Sequence, residues 1–268
     1  MSDAMPSSIV AAPPHGPELL TAMRRSSTEH APGTVEAPRF PAGTRALVKL
    51  LHFSRRLRGL HRYDDFVIER VHGVPILVTP TVFNPKRLRT GEFFASQLNS
   101  ALIAQGAEVL DLGTGSGVCA VFAARHARRV IAVDINAAAV RCAGINALLN
   151  RLEGKIEARH GDLFLPVAAE RFDLILFNPP FLRGEPRNDR ERAWCSISAA
   201  ERFAEELDQH LKPSGSALLL LSTYADSSIF LEPLRRRGHP VSVFAEGRYV
   251  GEKLTLYRIA PLQRDGVM

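Results

Sequence analysis

The sequence predicts an α/β fold in which a mostly parallel β-sheet is covered by helices on both faces. From about residue 91 onward, short apolar runs typical of buried strands alternate with stretches of helical periodicity. A glycine-rich segment, Gly113-Thr114-Gly115-Ser116-Gly117, directly follows one of these runs, at the strand-to-helix turn where open α/β sheets bind ligands. Parallel neighbours need long crossover connections, and the helical stretches provide them.

The predicted elements follow one another regularly along the chain. Helical spacing covers Glu92 to Ile103, about Val118 to His126, Ala137 to Leu149, Ala199 to Leu211 and Ile229 to Arg236. Apolar runs predict strands at Glu108 to Leu112, Val130 to Val133, Ile156 to Arg159, Phe172 to Phe177 and Ala217 to Leu221, with Val241 to Phe244 and Lys253 to Ile259 as a closing pair. The segment Lys212-Pro213-Ser214-Gly215 carries the stop residues expected at the end of a helix.

The N-terminal third differs in composition from the rest. Residues 1–43 are rich in Pro, Ala, Ser and Gly without an apolar period, which predicts a disordered tail. Residues 44–90 predict an amphipathic helix with a basic face, from Ala46 to Arg58, and a β-hairpin around His72-Gly73. We expect these pieces to form a lid on the α/β domain at 91–268. The basic face is either simply solvated or a contact for RNA or an acidic protein.

Composition limits the classes of function. The net charge of +6 favours a polyanionic partner such as RNA without establishing one. No apolar stretch approaches the roughly 20 residues of a membrane span, and the N-terminus lacks the hydrophobic block of a secretory signal. The three cysteines show no Cys-x-x-Cys pairing, so we expect a cytoplasmic protein with Cys119 and Cys142 in the core. The nine histidines form no metal-binding pattern, so we expect no metal site.

An acidic and glycine-rich segment predicts the cofactor site. The strand that ends in Asp111-Leu112 turns at Gly113, Thr114, Gly115 and Gly117, and glycine lets the backbone approach a ligand closely because it has no side chain and accepts positive φ. The main alternative is a dinucleotide fingerprint, Gly-x-Gly-x-x-Gly, but the third glycine comes one residue too early. In addition, Asp111 would repel a pyrophosphate. Its carboxylate suits the ammonium and sulfonium groups of S-adenosylmethionine.

Two further acidic positions support that cofactor. The next strand ends in Val133-Asp134, where a carboxylate can accept hydrogen bonds from both ribose hydroxyls; a helix N-cap is the alternative role for Asp134. We expect Ile135, which follows, to bind the cofactor as well. Gly161-Asp162-Leu163-Phe164 follows the third strand. We expect Asp162 to accept the adenine amino group and its apolar neighbours, including Leu163, to contact the ring, although a plain Gly-Asp loop is the alternative.

The segment after the most apolar strand predicts the site of chemistry. Asn178-Pro179-Pro180-Phe181 follows Phe172 to Phe177, and its prolines stiffen the turn and remove backbone donors. The Asn178 side-chain oxygen and the Pro179 carbonyl can each accept one N–H of a planar NH₂ group beside the cofactor, and Phe181 can pack on that group. Such alignment favours methyl transfer to nitrogen. A rigid turn with a core aromatic is the alternative.

These motifs resemble the class I S-adenosylmethionine-dependent methyltransferases over roughly Thr81 to Ala260. Within that class the chain is similar to the HemK-type protein-glutamine methyltransferases. The runs that carry this closer similarity are Val82-Phe83-Asn84-Pro85, Phe177-Asn178-Pro179-Pro180-Phe181, Ala193-Trp194 and Glu252-Lys253-Leu254-Thr255-Leu256.

The resemblance implies a Rossmann-like, seven-stranded sheet with an antiparallel last strand, and a methyltransferase domain at 91–268. It also implies that a glutamine amide in a translation release factor is the substrate. It leaves open whether a small activating partner protein is needed.

Other functions stay open at this point. The family commonly has Tyr where Phe181 stands, and glycines where Cys195-Ser196 follow Ala193-Trp194. Phe is frequent in related ribosomal RNA guanine methyltransferases, so an exocyclic amine of ribosomal or transfer RNA is the close alternative substrate. A small-molecule N-methyltransferase of secondary metabolism and a non-enzymatic RNA-binding module are the remaining hypotheses.

Overall fold

The computed structural model describes residues 65–87, 89–179, 199–223 and 226–262, which form a β-hairpin and a larger sheet. The hairpin pairs β1, Val67–Val71, with β2, Val74–Val78. The strands of the sheet are β3, Glu108–Leu112; β4, Arg129–Asp134; β5, Ile156–His160; β6, Phe172–Phe177; β7, Leu211–Ser222; β8, Val241–Tyr249; and β9, Glu252–Ile259. Its order is β5-β4-β3-β6-β7-β9-β8. Pairings from β5 to β7 are parallel, and β9 is antiparallel to both neighbours, which confirms the predicted sheet.

Helices connect the parallel strands, as the sequence predicts. They are α1, Thr90–Gln97; α2, Val118–Ala124; α3, Ala137–Leu149; α4, Ala199–His210; and α5, Ser228–Arg236. A single 3₁₀ turn, Leu165–Val167, lies between β5 and β6. The stretches with helical periodicity therefore form the crossovers between parallel strands. Each crossover returns the chain to the edge at which the strands begin.

The core has a separate apolar layer on each face of the sheet. Successive side chains of a strand point to opposite faces, so Val109 joins one cluster and Leu110 the other. α1, α2 and α3 cover the Val109 face, while α4 and α5 cover the Leu110 face. Strands buried on both faces need continuous apolar runs, which explains the composition of the central strands. Cys119 and Cys142 are buried free thiols in the described region, as predicted.

Asparagine side chains fix the hairpin to α3. Asn146 is fully buried; its Oδ1 accepts from the Leu77 backbone N–H at 2.7 Å, and its Nδ2 donates to the Leu77 carbonyl at 2.6 Å. One turn further, Asn150 Nδ2 donates to the Pro75 carbonyl. The amides therefore replace the missing neighbour of β2 and hold the hairpin against the larger sheet's helical layer.

Some predicted boundaries are wrong. α1 ends at Gln97 and not at Ile103, because Leu98 is extended and the Asn99 side chain accepts from the Ala101 N–H, which starts a turn. Strand β8 extends beyond the predicted Phe244 to Tyr249.

The stop signal after α4 does not produce a loop. Leu211 pairs directly with Phe172, and the register shifts between Phe172 and Leu174, so Lys212 to Gly215 lie inside β7. A Cβ on Gly215 would lie 2.7 Å from the Phe172 carbonyl oxygen, so only glycine fits this irregularity. The Pro and Gly residues after α4 are a local signal for a loop, whereas β7 forms here because it pairs with β6, which is distant in sequence.

Several predictions fall on residues outside the described ranges. They are the tail at 1–43, the basic helix near Ala46 to Arg58, Pro180, Phe181, Trp194 and Cys195. Among the described helices, none is both long and apolar enough to cross a membrane.

Candidate active site

The glycine-rich turn has the backbone conformation that its composition predicts. Gly113, Gly115 and Gly117 have φ values of 62°, 55° and 79°, in the left-handed region that favours glycine. Gly113 is exposed and Gly115 half-buried, so the backbone of the turn is accessible to a ligand. A Cβ added at Gly117 would lie 2.8 Å from Ala143 Cα, so this glycine also permits close packing of α2 on α3.

Asp111 lies at the end of β3, beneath this turn. Its Oδ2 accepts from the Thr114 hydroxyl at 2.6 Å and from the Ala120 N–H at 3.0 Å. No described residue donates to Oδ1. Burial raises the pKa of this carboxyl from 3.8 to about 7, although the two hydrogen bonds oppose the shift. A cationic ligand above the turn would supply a counter-charge that no described residue provides, which fits the ammonium group of S-adenosylmethionine.

Asp134 ties the turn to the adjacent strand end. Its Oδ2 accepts from the Gly115 N–H and its Oδ1 from the Asn136 N–H, each at 2.8 Å. Burial raises the pKa of this carboxyl as well. The N-cap of α3 is Asn136, whose side chain accepts from the Ala138 N–H, so the alternative role for Asp134 does not apply. Ile135 is 37% exposed, which leaves an apolar side chain available beside the carboxylate.

The loop after β5 brings an acidic and an apolar side chain to the same edge. Asp162 Oδ2 accepts from Arg202 Nη1 of α4 at 2.6 Å. Leu163 is half-buried and has a left-handed φ of 48°, an uncommon conformation for a branched side chain. Phe164 instead lies in the core, stacked on His210 with ring centroids 4.4 Å apart. Leu163 and Ile135, and not Phe164, are therefore the apolar side chains available to a planar ring.

Asn178 and Pro179 follow β6 at the next strand end. Asn178 Nδ2 donates to Thr90 Oγ1 of α1 at 3.4 Å. Its Oδ1 is buried, and no described residue donates to it. Pro179 is buried, while Pro180 and Phe181 lie outside the described residues. The corner thus holds a hydrogen-bond acceptor whose partner is missing, as expected for a group that binds a substrate N–H.

The topology brings these positions together. β5, β4, β3 and β6 are consecutive in the sheet and parallel, so their carboxyl ends lie at one edge. A Cβ on Gly113 would lie 3.9 Å from the Phe177 ring, which places the glycine turn beside the Asn178 corner. The Gly161 N–H donates to the Asp134 carbonyl at 3.0 Å and joins the third acidic position to the second.

The geometry suits the transfer of a group between two organic molecules that are bound side by side at this edge of the sheet. Acidic positions flank an accessible glycine turn, apolar side chains stand beside Asp134 and Asp162, and an unsatisfied amide oxygen lies next to them. Within the described ranges, no three His, Cys, Asp or Glu side chains are arranged to hold a metal ion.

Sequence reasoning missed several residues that shape this site. Thr90 contacts Asn178, Arg202 pairs with Asp162, and Phe83 lies against the glycine turn, where a Cβ on Gly115 would be 3.9 Å from Phe83 Cβ. Each lies on an element that precedes or follows the motifs by tens of residues. The one sequence signal for any of them was the family resemblance, which includes the run Val82-Phe83-Asn84-Pro85 but does not show that Phe83 contacts the glycine turn.

Comparison with known proteins supports this picture. Residues 73–236 match the family model described as methyltransferase small domain, which is more than half of the 268 residues. The chain is 34% identical over 189 residues to a release factor glutamine methyltransferase of Koribacter versatilis, covering 59% of this chain and 66% of that protein. It is 28% identical over 200 residues to a protein of Methanocaldococcus jannaschii named as a protein N5-glutamine methyltransferase, covering 70% of this chain and 96% of that one.

An RNA-modifying enzyme is also among the relatives. The chain is 34% identical over 137 residues to ribosomal RNA small subunit methyltransferase C of Alcanivorax borkumensis, covering 51% of this chain and 39% of that protein. The share of each relative that the chain spans thus varies from about two fifths to nearly all.

A solved structure shows the same fold. The T. thermophilus 16S rRNA N2 G1207 methyltransferase, solved with AdoMet and guanosine, superposes with a TM-score of 0.54 at 22% identity, covering 73% of this chain and 50% of that one. The family model, the sheet order and the motif positions agree. The chain belongs to the methyltransferase small domain family and is a HemK-like, class I S-adenosylmethionine-dependent methyltransferase.

Proposed function

We propose that this enzyme methylates the side-chain amide nitrogen of a glutamine, in a translation release factor. The observation that carries the proposal is the buried Asn178 Oδ1, which lacks a donor among the described residues and lies beside the glycine turn. Relatives named for glutamine methylation support this substrate, and one of them matches almost over its whole length. A primary amide has the N–H groups that such an acceptor binds.

The residues around the turn would hold the cofactor as follows. Asp111 would face its ammonium group, Asp134 its ribose hydroxyls and Asp162 its adenine amino group. Ile135 and Leu163 would contact the adenine ring, and the backbone of Gly113, Thr114, Gly115 and Gly117 would lie against the methionine portion. The fit rests on the accessible glycine backbone and on carboxyls whose pKa burial raises, so that a cation stabilises their charged form.

When bound, S-adenosylmethionine supplies an electrophilic methyl carbon on a sulfonium. The protein's part is to position the acceptor nitrogen. Asn178 Oδ1 and the Pro179 carbonyl would each accept one amide N–H, so the nitrogen lone pair points at the methyl carbon. Methylation would form the N–C bond as the donor's S–C bond breaks, with one amide proton released to solvent and S-adenosylhomocysteine as the other product. Such alignment contributes several kcal/mol to lowering the barrier, on the order of what fixed geometry provides in other enzymes.

A labelling assay tests the substrate. We expect incubation with methyl-labelled S-adenosylmethionine to label a purified release factor and not total RNA from the same cells. A release factor in which the acceptor glutamine is replaced by asparagine is the matched control and should stay unlabelled. Label that appears only in the RNA fraction would overturn the glutamine assignment.

Asn178→Ala tests the role of the corner. We expect turnover to fall by at least about a hundredfold, because the acceptor nitrogen loses its positioning partner, while the dissociation constant for S-adenosylhomocysteine changes little. Asn99→Ala, in an exposed turn, is the control and should keep full activity. An equal loss of cofactor affinity and turnover in Asn178→Ala would contradict the assignment.

A basic rim supports a second candidate, methylation of an exocyclic amine in RNA. The rim consists of the exposed or half-exposed side chains Arg70, Lys86, Arg87, Arg89 and Arg248. It lies beside the Asn178 corner, since Arg89 precedes Thr90 and its guanidinium lies 5.1 Å from the centre of the Tyr249 ring. None of these cations pairs with a carboxylate of a described residue. Unpaired cations around a site favour a polyanionic substrate.

Salt dependence separates the candidates. An RNA substrate held by rim cations should show a KM that rises steeply with salt, and Arg248→Gln should reduce the slope by about one counterion. Arg236→Gln removes an exposed cation of α5 that pairs with Glu201 of α4, and it should leave the slope unchanged. A KM for RNA that does not respond to salt would count against this candidate.

We also propose that residues 44–90 act as a lid over the methyltransferase domain at 91–268. The described part of this region, from residue 65 onward, contacts the domain next to the cofactor turn through Asn146, whose Nδ2 donates both to the Leu77 carbonyl and to the Ser116 carbonyl. Binding of the cofactor should therefore protect the Leu77 amide from hydrogen exchange. Protection that is the same with and without S-adenosylhomocysteine would contradict the lid.

A further inference from the structure

An ion pair joins the first turn of α4 to the loop after β5. Arg202 Nη1 donates to Asp162 Oδ2 at 2.6 Å, although the two residues are 40 positions apart. The helix dipole opposes a cation in the first turn of a helix, so α4 itself does not favour arginine there. Glu206, the neighbour at i+4 on the same helix, lies 3.8 Å from Arg202 Nε. The shorter contact of the guanidinium is therefore with the loop and not with its own helix.

The hydrogen-bonding roles in this pair are fixed by chemistry. A guanidinium only donates and an ionised carboxylate only accepts, so the two groups cannot exchange roles. With Oδ2 bound to Arg202, no described residue donates to Asp162 Oδ1. Arg202 also lies near both Asp162 and Glu206, so two anions share one cation and the cluster keeps a net negative charge. Oδ1 therefore remains a charged acceptor for an N–H group.

The main chain on both sides of the pair is held by packing. Phe203, the next residue of α4 after the arginine, is fully buried and stacks on Phe164 with ring centroids 6.0 Å apart. Phe164 is itself buried and lies two residues after Asp162. A Cβ on Gly161 would clash with Pro166 Cγ, so the loop also packs on itself just before Asp162. The freedom that remains is rotation of the Asp162 side chain, which is 38% exposed, and the ion pair restricts that rotation.

We propose that Arg202 is a positioning residue for the cofactor, which holds the Asp162 carboxylate so that Oδ1 accepts the 6-amino group of adenine. The proposal rests on the cofactor position proposed above, in which Asp162 faces that amino group, and it is independent of the methyl acceptor. Arg202 acts through Asp162 and does not contact the cofactor itself. A carboxylate already held in place gives up little side-chain freedom on binding. Arg202 therefore increases the discrimination between adenine and a purine ring that lacks the amino group.

Paired changes in the protein and in the ligand test this role. The ligands are S-adenosylhomocysteine and its 6-deamino analogue, in which hydrogen replaces the amino group. Arg202→Met keeps the apolar stem and removes every donor. We expect it to bind S-adenosylhomocysteine about threefold to tenfold more weakly and the analogue within about twofold of wild type, because only the first ligand uses the Asp162 carboxylate. Titration calorimetry measures both affinities, whereas a purely structural role would weaken both ligands by the same factor.

A double variant tests whether Arg202 acts through Asp162. Asp162→Ala removes the acceptor and should weaken S-adenosylhomocysteine about tenfold or more, with little effect on the analogue. Adding Arg202→Met to Asp162→Ala should cause no further loss, since the arginine then has no carboxylate to position. Losses that simply add would overturn the proposal, as would equal weakening of both ligands in Arg202→Met. Arg202→Lys keeps a donor cation and should retain more discrimination than Arg202→Met.

A second cation paired with α4 provides the matched control. Arg236→Gln removes an exposed arginine that pairs with Glu201, and it should keep wild-type affinity for both ligands. Thermal melting checks the fold of Arg202→Met, which should melt close to wild type because partly exposed ion pairs contribute little stability. If Arg202→Met is unfolded, Arg202→Gln carries the same test.

Failure of the cofactor position and failure of the substrate assignment would look different. If Asp162→Ala leaves the ratio of the two affinities unchanged, adenine lies elsewhere and the role of Arg202 fails with it. If that ratio falls in Asp162→Ala but not in Arg202→Met, only the positioning role is wrong. A wild-type enzyme that labels RNA and not the release factor sinks the glutamine assignment and leaves these binding measurements unaffected.

Discussion

At the scale of single residues, Asp111 illustrates a conflict between stability and binding. Burial raises the pKa of this carboxyl from 3.8 to about 7, so the folded protein binds its proton more tightly than the unfolded chain does. A raised pKa in an acid lowers the free energy of unfolding once the acid is ionised. This loss of stability is absent below pH 3.8, grows as pH rises, and is complete above about pH 7. A buried charge kept at such a cost is expected at a binding site.

Asp111→Asn tests this conflict. The amide keeps an acceptor for Thr114 and Ala120 but carries no charge, so we expect the free energy of unfolding at pH 8 to rise by about 1–3 kcal/mol. At pH 4 we expect almost no gain. Affinity for S-adenosylhomocysteine should fall in the same variant, because the ammonium group loses its partner. Thermal melting and calorimetry at both pH values measure these effects; equal stabilisation at pH 4 and pH 8 would contradict the burial argument.

Asp134→Ala tests the ribose position. We expect the cofactor to bind about 1–3 kcal/mol more weakly, the amount typical of lost hydrogen bonds to a charged group. The carboxylate also accepts from the Gly115 and Asn136 N–H groups, so part of the loss comes from a looser turn. Asp134→Asn keeps an acceptor oxygen, so it should retain more cofactor affinity than Asp134→Ala. The difference between the two variants separates the loss of acceptor oxygens from the loss of negative charge. Titration calorimetry measures both variants, with Glu153→Ala at an exposed turn as the control, and unchanged affinity in Asp134→Ala would show that the ribose lies elsewhere.

The candidate site was partly readable from the sequence for a physical reason. Asp111, Asp134, Asp162 and Asn178 each lie at or just after the carboxyl end of a strand, and the carboxyl ends of parallel strands meet at one edge. The order of strands then brings the positions together without further information. The contacts of Thr90 and Arg202 with this site could not be predicted from the sequence. These residues lie on α1 and α4, and only the packing of those helices in the folded chain brings them to Asn178 and Asp162.

At the scale of elements, one buried amide contributes two of the hydrogen bonds that attach the hairpin to the domain. Asn146 makes three short hydrogen bonds to main-chain groups, two to Leu77 and one to Ser116. It connects β2, α3 and the cofactor turn. Without the amide, the Leu77 N–H and the Ser116 carbonyl would lose this partner, and the Leu77 carbonyl would keep the Cys142 thiol as a donor at 3.2 Å. The Asn146 side chain therefore holds three elements together.

Asn146→Ala should therefore destabilise the protein by about 2–4 kcal/mol, because several buried main-chain groups lose their partners. We also expect faster hydrogen exchange of the Leu77 amide and weaker binding of S-adenosylhomocysteine. Asn150→Ala, which removes only the bond to the Pro75 carbonyl and the bond within α3, should cost less. Urea unfolding measures the difference, and a cost in Asn146→Ala no larger than that in Asn150→Ala would contradict the clamp.

The fold itself was predictable to the level of element type and order. Alternating apolar runs and helical periods reflect burial, and burial is set by the sheet and its two helical layers. Boundaries were harder where a neighbour overrides a local signal. The strand β7 starts at Leu211 in spite of Pro213 and Gly215, because Phe172 offers a partner there. Helix α1 stops early at Gln97 because the Asn99 side chain binds the next turn.

At the scale of the whole molecule, the charged side chains at the two edges of the sheet affect stability in opposite ways as pH changes. The carboxyl edge holds Asp111 and Asp134, whose pKa values are raised by burial. The amino edge holds ion pairs among residues at the starts of strands. Examples are Arg129 with Glu157 at 2.6 Å and Lys212 with Asp173 at 2.8 Å. Acid should therefore weaken the amino edge, whereas base weakens the carboxyl edge unless the cofactor is bound.

Glu157→Gln tests the amino edge. Hydrogen bonds from Arg159 and Arg129 lower the pKa of Glu157 from 4.5 to about 2, so its stabilising effect is complete above pH 4.5 and disappears as pH falls toward 2. Because the side chain is half exposed, solvent screens the pairs and the effect is small. We expect the melting temperature at pH 7 to fall by a few degrees, with the deficit shrinking as pH falls below 4.5. Arg128→Gln, whose exposed guanidinium lies beside Glu108, should change it less.

Glu157→Gln and Asp111→Asn are expected to change stability in opposite directions. Both variants remove one carboxylate, yet one should lower stability near neutral pH and the other raise it, since the pKa of Glu157 is depressed and that of Asp111 is elevated. Saturating S-adenosylhomocysteine should reduce the alkaline gain of Asp111→Asn and leave the Glu157→Gln deficit unchanged, because the proposed cofactor site lies at the carboxyl edge. If the ligand altered both variants equally, the two edges would not be independent, and the cofactor would have to be placed elsewhere.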